Sequence, residues 1–371
     1  MGIGIWGLAF LRRSDELQAG MRHLFSYRHY RLPLRVPLRT AHGLWAEREG
    51  ILLRVEDVRG RLGFGEIAPI PWFGTETLAE AEEICAKWGD RVDESALADV
   101  PERMGCVRFA LAEALRALGT DPDDGPTGDK VEGGPLESTG WRVPLTALLP
   151  AGRGAVTMLM ERLEAGWLSF KWKVGVGDLD QELGMLDELI ERLPAYAKLR
   201  LDANGAWTRR QATRWLERCA ERPVEFVEQP VAPGDGDGLL GLALDYPVKL
   251  ALDESVVRLS QAREWQARGW PGVFVIKPAL AGPMAELADW HAGTSPDVVL
   301  SSAIETALGR AQILRFAAGH LRGMLKRSPG FGVGDLFGDR RWDGPAAGPM
   351  LDAAWNGGVD PEALWRSAGE V

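Results

Sequence analysis

The chain has 371 residues, of which 46% are hydrophobic and 26% are charged, and its formal net charge is −10. This composition is typical of a globular protein with one large domain and a smaller one. The negative charge and the lack of a Lys/Arg-rich run exclude a nucleic-acid-binding surface. No uninterrupted apolar run approaches the roughly 20 residues that span a membrane. We therefore expect a cytoplasmic protein without nucleic-acid or membrane partners, and the sequence indicates no particular oligomeric state.

The N-terminal part of the chain shows strands followed by helices, the order typical of an α+β module. Side chains alternate in its strand segments and follow a helical period in its helix segments. The predicted strands are residues 27–32 and 50–56, the loops are 37–46 and 69–75, and the helices are 78–85 and 107–118.

Beyond an Asp-, Gly- and Pro-rich stretch, short apolar segments alternate with helical ones. Apolar strands in regular alternation with helices indicate a parallel sheet. Seven such units favour a closed barrel over an open sheet. The seven strands are predicted at residues 143–149, 168–174, 197–202, 224–228, 248–253, 273–277 and 298–302, with an eighth near 323–326.

These patterns divide the chain into five parts. The stretch without periodicity is interpreted as a linker, and the Gly/Pro-rich tail is expected to run back and pack on the α+β module. The predicted parts are an N-terminal extension (1–24), the α+β module (25–120), the linker (119–140), the barrel (141–326) and the returning tail (327–371).

Two lysines share one face of the second predicted barrel strand. Lys171 and Lys173 are two residues apart, and because strand side chains alternate, both ammonium groups point the same way. Two positive charges about 7 Å apart, at roughly 3.3 Å of rise per residue, repel each other. Such a pair is kept either because both side chains face water or because nearby carboxylates and a reaction use it.

Charged residues end the next four predicted strands, at intervals of about one βα unit. They are Asp202, Glu228, Asp253 and Lys277. Strand C-termini of a barrel meet at one rim, where active sites are built, so three carboxylates should form an arc with lysines on either side. Asp202 and Asp253 could each be only a helix N-cap or a turn residue. Glu228 is not a capping type, and Lys277 without partners would be a costly buried charge.

Three converging carboxylates without histidine suit a hard dication, Mg²⁺ before Ca²⁺, because these ions prefer oxygen ligands. Zinc would need His or Cys, and neither stands at these strand ends. Removing a proton next to a carboxylate creates two negative oxygens that Mg²⁺ can hold, while a lysine takes the proton. The residues thus predict a Mg²⁺-dependent enzyme that acts on a small anionic carboxylate.

Five short motifs carry these charged residues: Lys171-Trp172-Lys173, Asp202-Ala203-Asn204, Glu228-Gln229-Pro230, Asp253-Glu254-Ser255 and Lys277-Pro278. They resemble the muconate-lactonising branch of the enolase superfamily, which combines a lysine base with Mg²⁺. Within that branch, residues 300–309, Arg200 and Gly205-Ala206-Trp207 are most similar to the o-succinylbenzoate synthases. The resemblance implies a (β/α)₇β TIM-like barrel with an N-terminal α+β capping domain completed by the C-terminal tail.

The resemblance also implies a role for each site residue. Lys173 would be the base and then the general acid, Lys277 would stabilise the enolate from the opposite face, and Lys171 would support the base. The implied ligands of Mg²⁺, with Mn²⁺ as an alternative ion, are Asp202, Glu228 and Asp253. The residues implied to contact the substrate or to orient the site are Arg200, Asn204, Ser301 and Ser302.

The implied reaction is a dehydration by a carbon–oxygen lyase. It would convert 2-succinyl-6-hydroxy-2,4-cyclohexadiene-1-carboxylate to o-succinylbenzoate in menaquinone or phylloquinone biosynthesis. The loops 37–46 and 69–75 would close over the substrate.

Other functions use the same residues. An N-acylamino acid racemase or dipeptide epimerase would use Lys173 and Lys277 as opposed bases at the same metal site. Dipeptide epimerases carry an Asp-x-Asp near the last barrel strand, and none occurs between Arg322 and Phe337. Cycloisomerisation of muconate is a third option. A non-catalytic barrel that keeps these residues for structure is the alternative outside the enzyme class.

Overall fold

The computed structural model describes residues 22–40, 43–119, 142–320, 326–344, 348–352 and 359–369. The predicted extension and the predicted linker lie almost entirely outside these residues. None of the helices in the described part of the chain is long and apolar enough to cross a membrane.

The N-terminal part consists of strands β1 (His23–Thr40), β2 (Gly43–Glu56), β3 (Leu62–Ile67) and β4 (Arg91–Val92), a 3₁₀ turn (Pro71–Phe73), and helices α1 (Leu78–Trp88), α2 (Ser95–Asp99) and α3 (Gly105–Leu118). The strands form an antiparallel sheet in the order β3-β2-β1-β4. Two glycines let α3 lie directly on β3. A Cβ atom at Gly63 or Gly65 would come within 1.9 or 2.0 Å of a carbonyl oxygen of the helix.

The predicted loop at 37–46 is wrong over most of its length, because β1 and β2 form one long hairpin. Leu38 pairs with Trp45 near its tip, after a shift of register that begins at Pro33. Pro33 and Pro37 lack the N–H group that a strand ladder needs. The prolines explain both the irregular register and the loop-like sequence pattern.

The barrel part contains strands and helices in regular alternation. They are β5 (Arg142–Pro144), β6 (Ala147–Leu149), α4 (Gly154–Glu164), β7 (Ser169–Lys173), α5 (Leu179–Arg192), β8 (Lys198–Asp202), α6 (Arg209–Cys219), β9 (Val224–Glu228), α7 (Gly236–Asp245), β10 (Leu250–Leu252), α8 (Leu259–Ala267), β11 (Val273–Ile276), α9 (Pro278–Ala281), α10 (Met284–Thr294), β12 (Val298–Leu300) and α11 (Ala307–His320). Strands β6 to β12 form one parallel sheet in sequence order. The seven predicted strands are therefore present, most of them slightly shorter than predicted.

Alternation along the strands fixes which residues reach the barrel mouth. The inward-facing side chains of β9 to β12 form a separate buried cluster of Phe226, Ala251, Val273, Val275 and Val299. Strand side chains repeat every second residue, so the next inward positions lie at the C-terminal rim. Those positions are Glu228, Asp253, Lys277 and Ser301.

Glycines close the barrel between its first and last strands. Gly330 bridges Ser301 after β12, and Gly332 bridges Ala147 on β6, both in parallel orientation. A Cβ atom at Gly332 would lie 2.1 Å from the carbonyl oxygen of Thr146, so this approach requires glycine. Of the eighth strand predicted near 323–326, residues 323–325 lie outside the described residues and Lys326 is in no strand. The closing contact comes later in the chain than predicted.

The C-terminal tail contains α12 (Arg340–Asp343), β13 (Met350–Asp352) and α13 (Pro361–Ser367). Strand β13 pairs antiparallel with β5, which splits the predicted strand 143–149 in two. Trp342 and Trp365 pack in one buried cluster with Tyr30, Leu52 and Phe64 of the N-terminal sheet. The division of the chain into five parts stays a prediction.

Candidate active site

Three acidic side chains lie side by side at the C-terminal ends of β8, β9 and β10. Asp202 ends β8 and pairs with Glu228 at the end of β9, and Glu228 pairs in turn with Ala251, two residues before Asp253. Asp202, Glu228 and Asp253 are 8%, 1% and 2% exposed. Because neighbouring strands run about 4.8 Å apart, these carboxylates line one side of the barrel mouth. The structure brings together the three residues that the sequence predicts as metal ligands.

Lys171 lies between two of these acids. Its Nζ atom is 2.9 Å from Asp202 Oδ2 and donates a hydrogen bond to Glu228 Oε1 at 2.8 Å. Burial acts to lower the pKa of Lys171, but the charges of Asp202 and Glu228 outweigh it and raise that pKa well above its usual value. The ammonium group is therefore a fixed positive charge shared by two carboxylates.

The other two lysines stand on opposite sides of the acids. Lys173 ends β7 and pairs with Asp202, whereas Lys277 follows β11 and its Nζ contacts Asp253 Oδ1. Within the described residues, Lys173 makes no ion pair within 4 Å, so its Nζ is free to meet a ligand. Although the three acids are neighbours, no group of three or more acidic, His or Cys side chains among the described residues has the geometry of a metal site.

Burial raises the pKa of two acids in this cluster. Burial, and then the charge of Asp202, raises the pKa of Glu228 although Lys171 opposes the shift. Burial and the charge of Asp253 likewise raise the pKa of Glu254. Asn204 donates from Nδ2 to Glu254 Oε1 at 3.0 Å. Asn204 Oδ1 and Glu254 Oε2 are buried without a hydrogen-bond partner in the described part of the chain.

Gln229 positions Asp253, the third acid. The sequence motif Glu228-Gln229-Pro230 contains this residue but does not predict its role. Its Oε1 accepts hydrogen bonds from the amides of Asp253 and Ser255, both at 3.1 Å. Its Nε2 donates to Val231 O at 3.0 Å and to Ser255 Oγ at 2.9 Å. The fully buried amide thus ties the end of β9 to the turn after β10. A glutamine directly after an apolar strand is the sequence signal that could have indicated this role.

The two predicted serine contacts differ in what their hydroxyls can do. Ser301 lies at an inward position beside Lys277, and its hydroxyl makes no hydrogen bond among the described residues. Ser302 Oγ donates to Glu305 at 2.9 Å and accepts from the amide of Ile304 at 3.0 Å. Ser301 is placed to meet a ligand. Ser302 shapes the loop through these bonds, and its role as a substrate contact or orienting residue stays a prediction.

Arg200, the other predicted contact or orienting residue on β8, is buried inside the barrel. Arg200 faces into the barrel two residues before Asp202, which puts it about one layer nearer the N-terminal end. Its guanidinium is 1% exposed, donates to Glu225 Oε2 at 2.6 Å and donates to Ser328 O at 2.7 Å. A register shift between β8 and β9 leaves Glu225 without a partner in β8 and accounts for its turn into the barrel. Arg200 therefore fills the barrel below the acids, and its role toward a substrate stays a prediction.

Aromatic residues from the N-terminal part cover the mouth. Phe73, in the predicted loop 69–75, places its ring 4.2 Å from Lys277 Nζ, a distance typical of a cation–π contact. Trp72 packs edge-to-face on Trp45 of the hairpin at 5.0 Å between ring centroids. The sequence patterns predict no role in the site for these individual aromatic residues. The loop is predicted to lie over the site, but no local pattern indicates which ring meets a lysine.

Ile304 has an unusual backbone conformation three residues after Ser301. Its φ is +59°, a left-handed value that costs an L-residue roughly 1–2 kcal/mol. For a β-branched residue this is a genuine outlier, so the surrounding contacts must hold it in place.

Comparisons with known proteins agree with this geometry. Family models described as "MenC, N-terminal domain" and "Enolase C-terminal domain-like" match residues 21–118 and 155–322. An o-succinylbenzoate synthase from Thermosynechococcus vestitus is 39% identical over 294 residues, which cover 78% of this chain and 87% of that protein. The chain belongs to the o-succinylbenzoate synthase family. The resemblance drawn from the strand-end motifs is confirmed.

Solved structures extend the comparison to the whole fold. The o-succinylbenzoate synthase of Thermosynechococcus elongatus, complexed with Mg in its active site, is similar with a TM-score of 0.76 and 35% identity, over 92% of this chain and 99% of that chain. The L-Ala-D/L-Glu epimerase of Bacillus subtilis has a TM-score of 0.73 at 22% identity, over 90% of this chain and 96% of that chain. The second likeness concerns the fold alone. The predicted barrel with its N-terminal capping domain is confirmed.

Proposed function

We propose that this protein is a Mg²⁺-dependent o-succinylbenzoate synthase. It removes water from 2-succinyl-6-hydroxy-2,4-cyclohexadiene-1-carboxylate in the cytoplasm, as a step of menaquinone or phylloquinone biosynthesis. Membership of the family supports this proposal. The observation that carries it is the row of three buried carboxylates with one lysine on each flank and a third lysine between two of them.

The chemistry of the acid cluster fits a hard dication. The proposed ligands are Asp202, Glu228 and Asp253, which supply the oxygen atoms that Mg²⁺ or Mn²⁺ prefers. Burial and the charge of Asp202 raise the pKa of Glu228, and a bound cation would favour its ionised form. The buried oxygens Asn204 Oδ1 and Glu254 Oε2, which lack a hydrogen-bond partner among the described residues, could accept a bond from a water or ligand at the site. When bound, the ion would stabilise the negative charge that develops on the substrate carboxylate.

Lys173 would transfer the proton, and the other two lysines would supply positive charge around it. In the proposed reaction, Lys173 Nζ takes the proton from the carbon next to the carboxylate and later gives it to the departing hydroxyl group. The C–O bond breaks, the ring gains its aromatic double bond, and one water leaves. Lys277 would hold its positive charge near the carboxylate oxygens from the other side, and Lys171 would keep Asp202 and Glu228 in position.

A racemase or epimerase with two opposed lysines is the second candidate. The symmetric placement of Lys173 and Lys277 about the acids is compatible with it. The likeness to epimerases is at 22% identity and therefore concerns only the fold.

The test is to incubate the purified protein with the cyclohexadiene substrate, with and without Mg²⁺, and to follow the ultraviolet absorbance of the diene. We expect turnover only with the metal, and a loss of about 10²–10⁴-fold in Lys173→Ala, which is the usual contribution of general acid–base catalysis. Lys198→Ala, at the exposed start of β8, is the matched control and should keep full activity. Full activity of Lys173→Ala, or exchange of an α-proton of N-succinylamino acids without dehydration, would overturn the proposal.

A further inference from the structure

The loop that follows β12, residues 301–305, is held in its strained form by the capping domain. We propose that Arg48, on β2 of the capping domain, is a positioning residue that keeps Ile304 left-handed and thereby presents Ser301 to the substrate. The inference deepens the proposed function, because it names the residue that couples docking of the capping domain to formation of the site.

Arg48 reaches the loop through its guanidinium group. The side chain is 2% exposed, and its Nε donates to Ile304 O at 3.0 Å while its Nη2 donates to Ala303 O at 3.5 Å. Its Nη1 donates to Pro69 O at 2.7 Å, so the same group also fixes the start of the loop that carries Phe73. Five N–H donors in a planar fork allow one arginine to hold carbonyls from two segments at once.

A second contact from the capping domain fixes the other end of the loop. Glu66, on β3, accepts hydrogen bonds from the amides of Thr306 and Gly309 at 2.9 Å and from Thr306 Oγ1 at 2.7 Å. These amides lie at the N-terminus of α11, where a carboxylate is favourable: Thr306 directly precedes the helix and Gly309 lies in its first turn. Tyr30 OH donates to Glu66 at 2.7 Å and orients it. The loop thus spans two fixed points, and Arg48 holds the strained residue between them.

The backbone amides of residues 302–304 already have other acceptors, so they cannot replace Arg48. The amide of Ser302 donates to Gly330 O, that of Ala303 to Glu305, and that of Ile304 to Ser302 Oγ. These bonds shape the backbone but leave the carbonyls of Ala303 and Ile304 to the arginine. Without Arg48, the left-handed conformation of Ile304 would be populated about tenfold less, by the usual preference of L-residues.

Substitution of Arg48 should therefore change substrate affinity rather than the chemical step. In Arg48→Met, substrate binding must reorder the loop, so KM and the Kd for o-succinylbenzoate should both rise about tenfold while kcat stays within about twofold. Amide hydrogen exchange at residues 302–304 should become about tenfold faster by the same population argument. Arg48→Lys should behave similarly, because an ammonium group lacks the planar fork.

Glycine at position 304 tests the role of strain. Glycine populates positive φ about as readily as negative φ, so Arg48→Met/Ile304→Gly should recover KM and Kd to within about threefold of the wild type. Ser295→Gly, at the end of α10 with φ +48°, relieves similar strain far from the site and should not rescue Arg48→Met. Arg28→Met is the control for a lost contact of the capping domain. Arg28 donates to Trp365 O at 3.0 Å in the tail, so its loss should lower stability without changing KM.

The outcomes separate this inference from the proposed function. If the wild-type protein does not turn over the cyclohexadiene, the proposed function is wrong. The hydrogen-exchange prediction for residues 302–304 does not depend on catalytic activity, so it is tested independently. Unchanged exchange and unchanged Kd in Arg48→Met would refute the positioning role. Failure of Ile304→Gly to rescue, or equal rescue by Ser295→Gly, would show that strain at Ile304 is not what Arg48 controls.

Discussion

Replacing Lys171 with methionine should destabilise the protein without a divalent cation and strengthen binding of that cation. Lys171 Nζ contacts Asp202 at 2.9 Å and Glu228 at 2.8 Å, and all three side chains are at most 14% exposed. Removing one partner of a buried ion pair costs about 3–5 kcal/mol. The raised pKa of Glu228 lets it take up a proton, which favours the lower end of this range. At the entropy of unfolding usual for a chain of this length, Tm should fall by about 4–6 °C.

Magnesium should reverse this loss. A ligand at a hundred times its Kd stabilises the native state by about 2.7 kcal/mol, and the variant should gain more than the wild type because no ammonium group competes for Asp202 and Glu228. Thermal unfolding with increasing Mg²⁺, together with calorimetric titration, measures both effects. Lys198→Met is the matched control with an exposed lysine on the same strand. Equal or weaker Mg²⁺ affinity in Lys171→Met would refute the reasoning.

Three further predictions concern other parts of the molecule. Gly65→Ala should lower the free energy of unfolding by about 1–3 kcal/mol in urea titrations, because its Cβ would meet the backbone of α3 at 2.0 Å, whereas Gly184→Ala, with open space around it, should not. Asp297→Asn should lower stability at neutral pH. Hydrogen bonds from Arg327 hold the pKa of Asp297 at about 2, so its contribution is present above the ordinary value of about 3.9 and is lost as pH falls through about 2. The difference from wild type should therefore shrink below about pH 4 in unfolding curves, and a constant difference would contradict this. Phe73→Leu should lower kcat/KM about two- to tenfold by loss of a cation–π contact worth about 0.5–1 kcal/mol and of ring packing, and unchanged steady-state kinetics would place the ring outside the site.

The barrel and its acid cluster could be predicted because two periodicities coincide. Strand side chains alternate, and each βα unit returns the chain to the same rim, so Lys173, Asp202 and Glu228 had to meet once their strands were identified. The sequence cannot show where a ladder slips. The register shift at Glu225 brings that acid to Arg200, and this pairing holds the arginine in the barrel below the proposed metal-ligand acids.

Contacts between distant segments account for the other features that the sequence did not predict. The tip of the β1–β2 hairpin reads as a loop because Pro33 and Pro37 interrupt the ladder, although pairing resumes beyond them. The barrel closes through single bridges at Gly330 and Gly332, which carry none of the apolar alternation of a strand. The hydrogen bond from Arg48 to the loop after β12 connects residues more than two hundred positions apart in the chain. Local sequence patterns do not predict it.

A crystal structure of the protein with Mg²⁺ and o-succinylbenzoate tests the arrangement of the site most directly. We predict one ion bound by oxygens of Asp202, Glu228 and Asp253 at about 2.0–2.1 Å, with Lys173 and Lys277 on opposite faces of the ligand ring. An ion bound elsewhere, or either lysine turned away into solvent, would contradict the account.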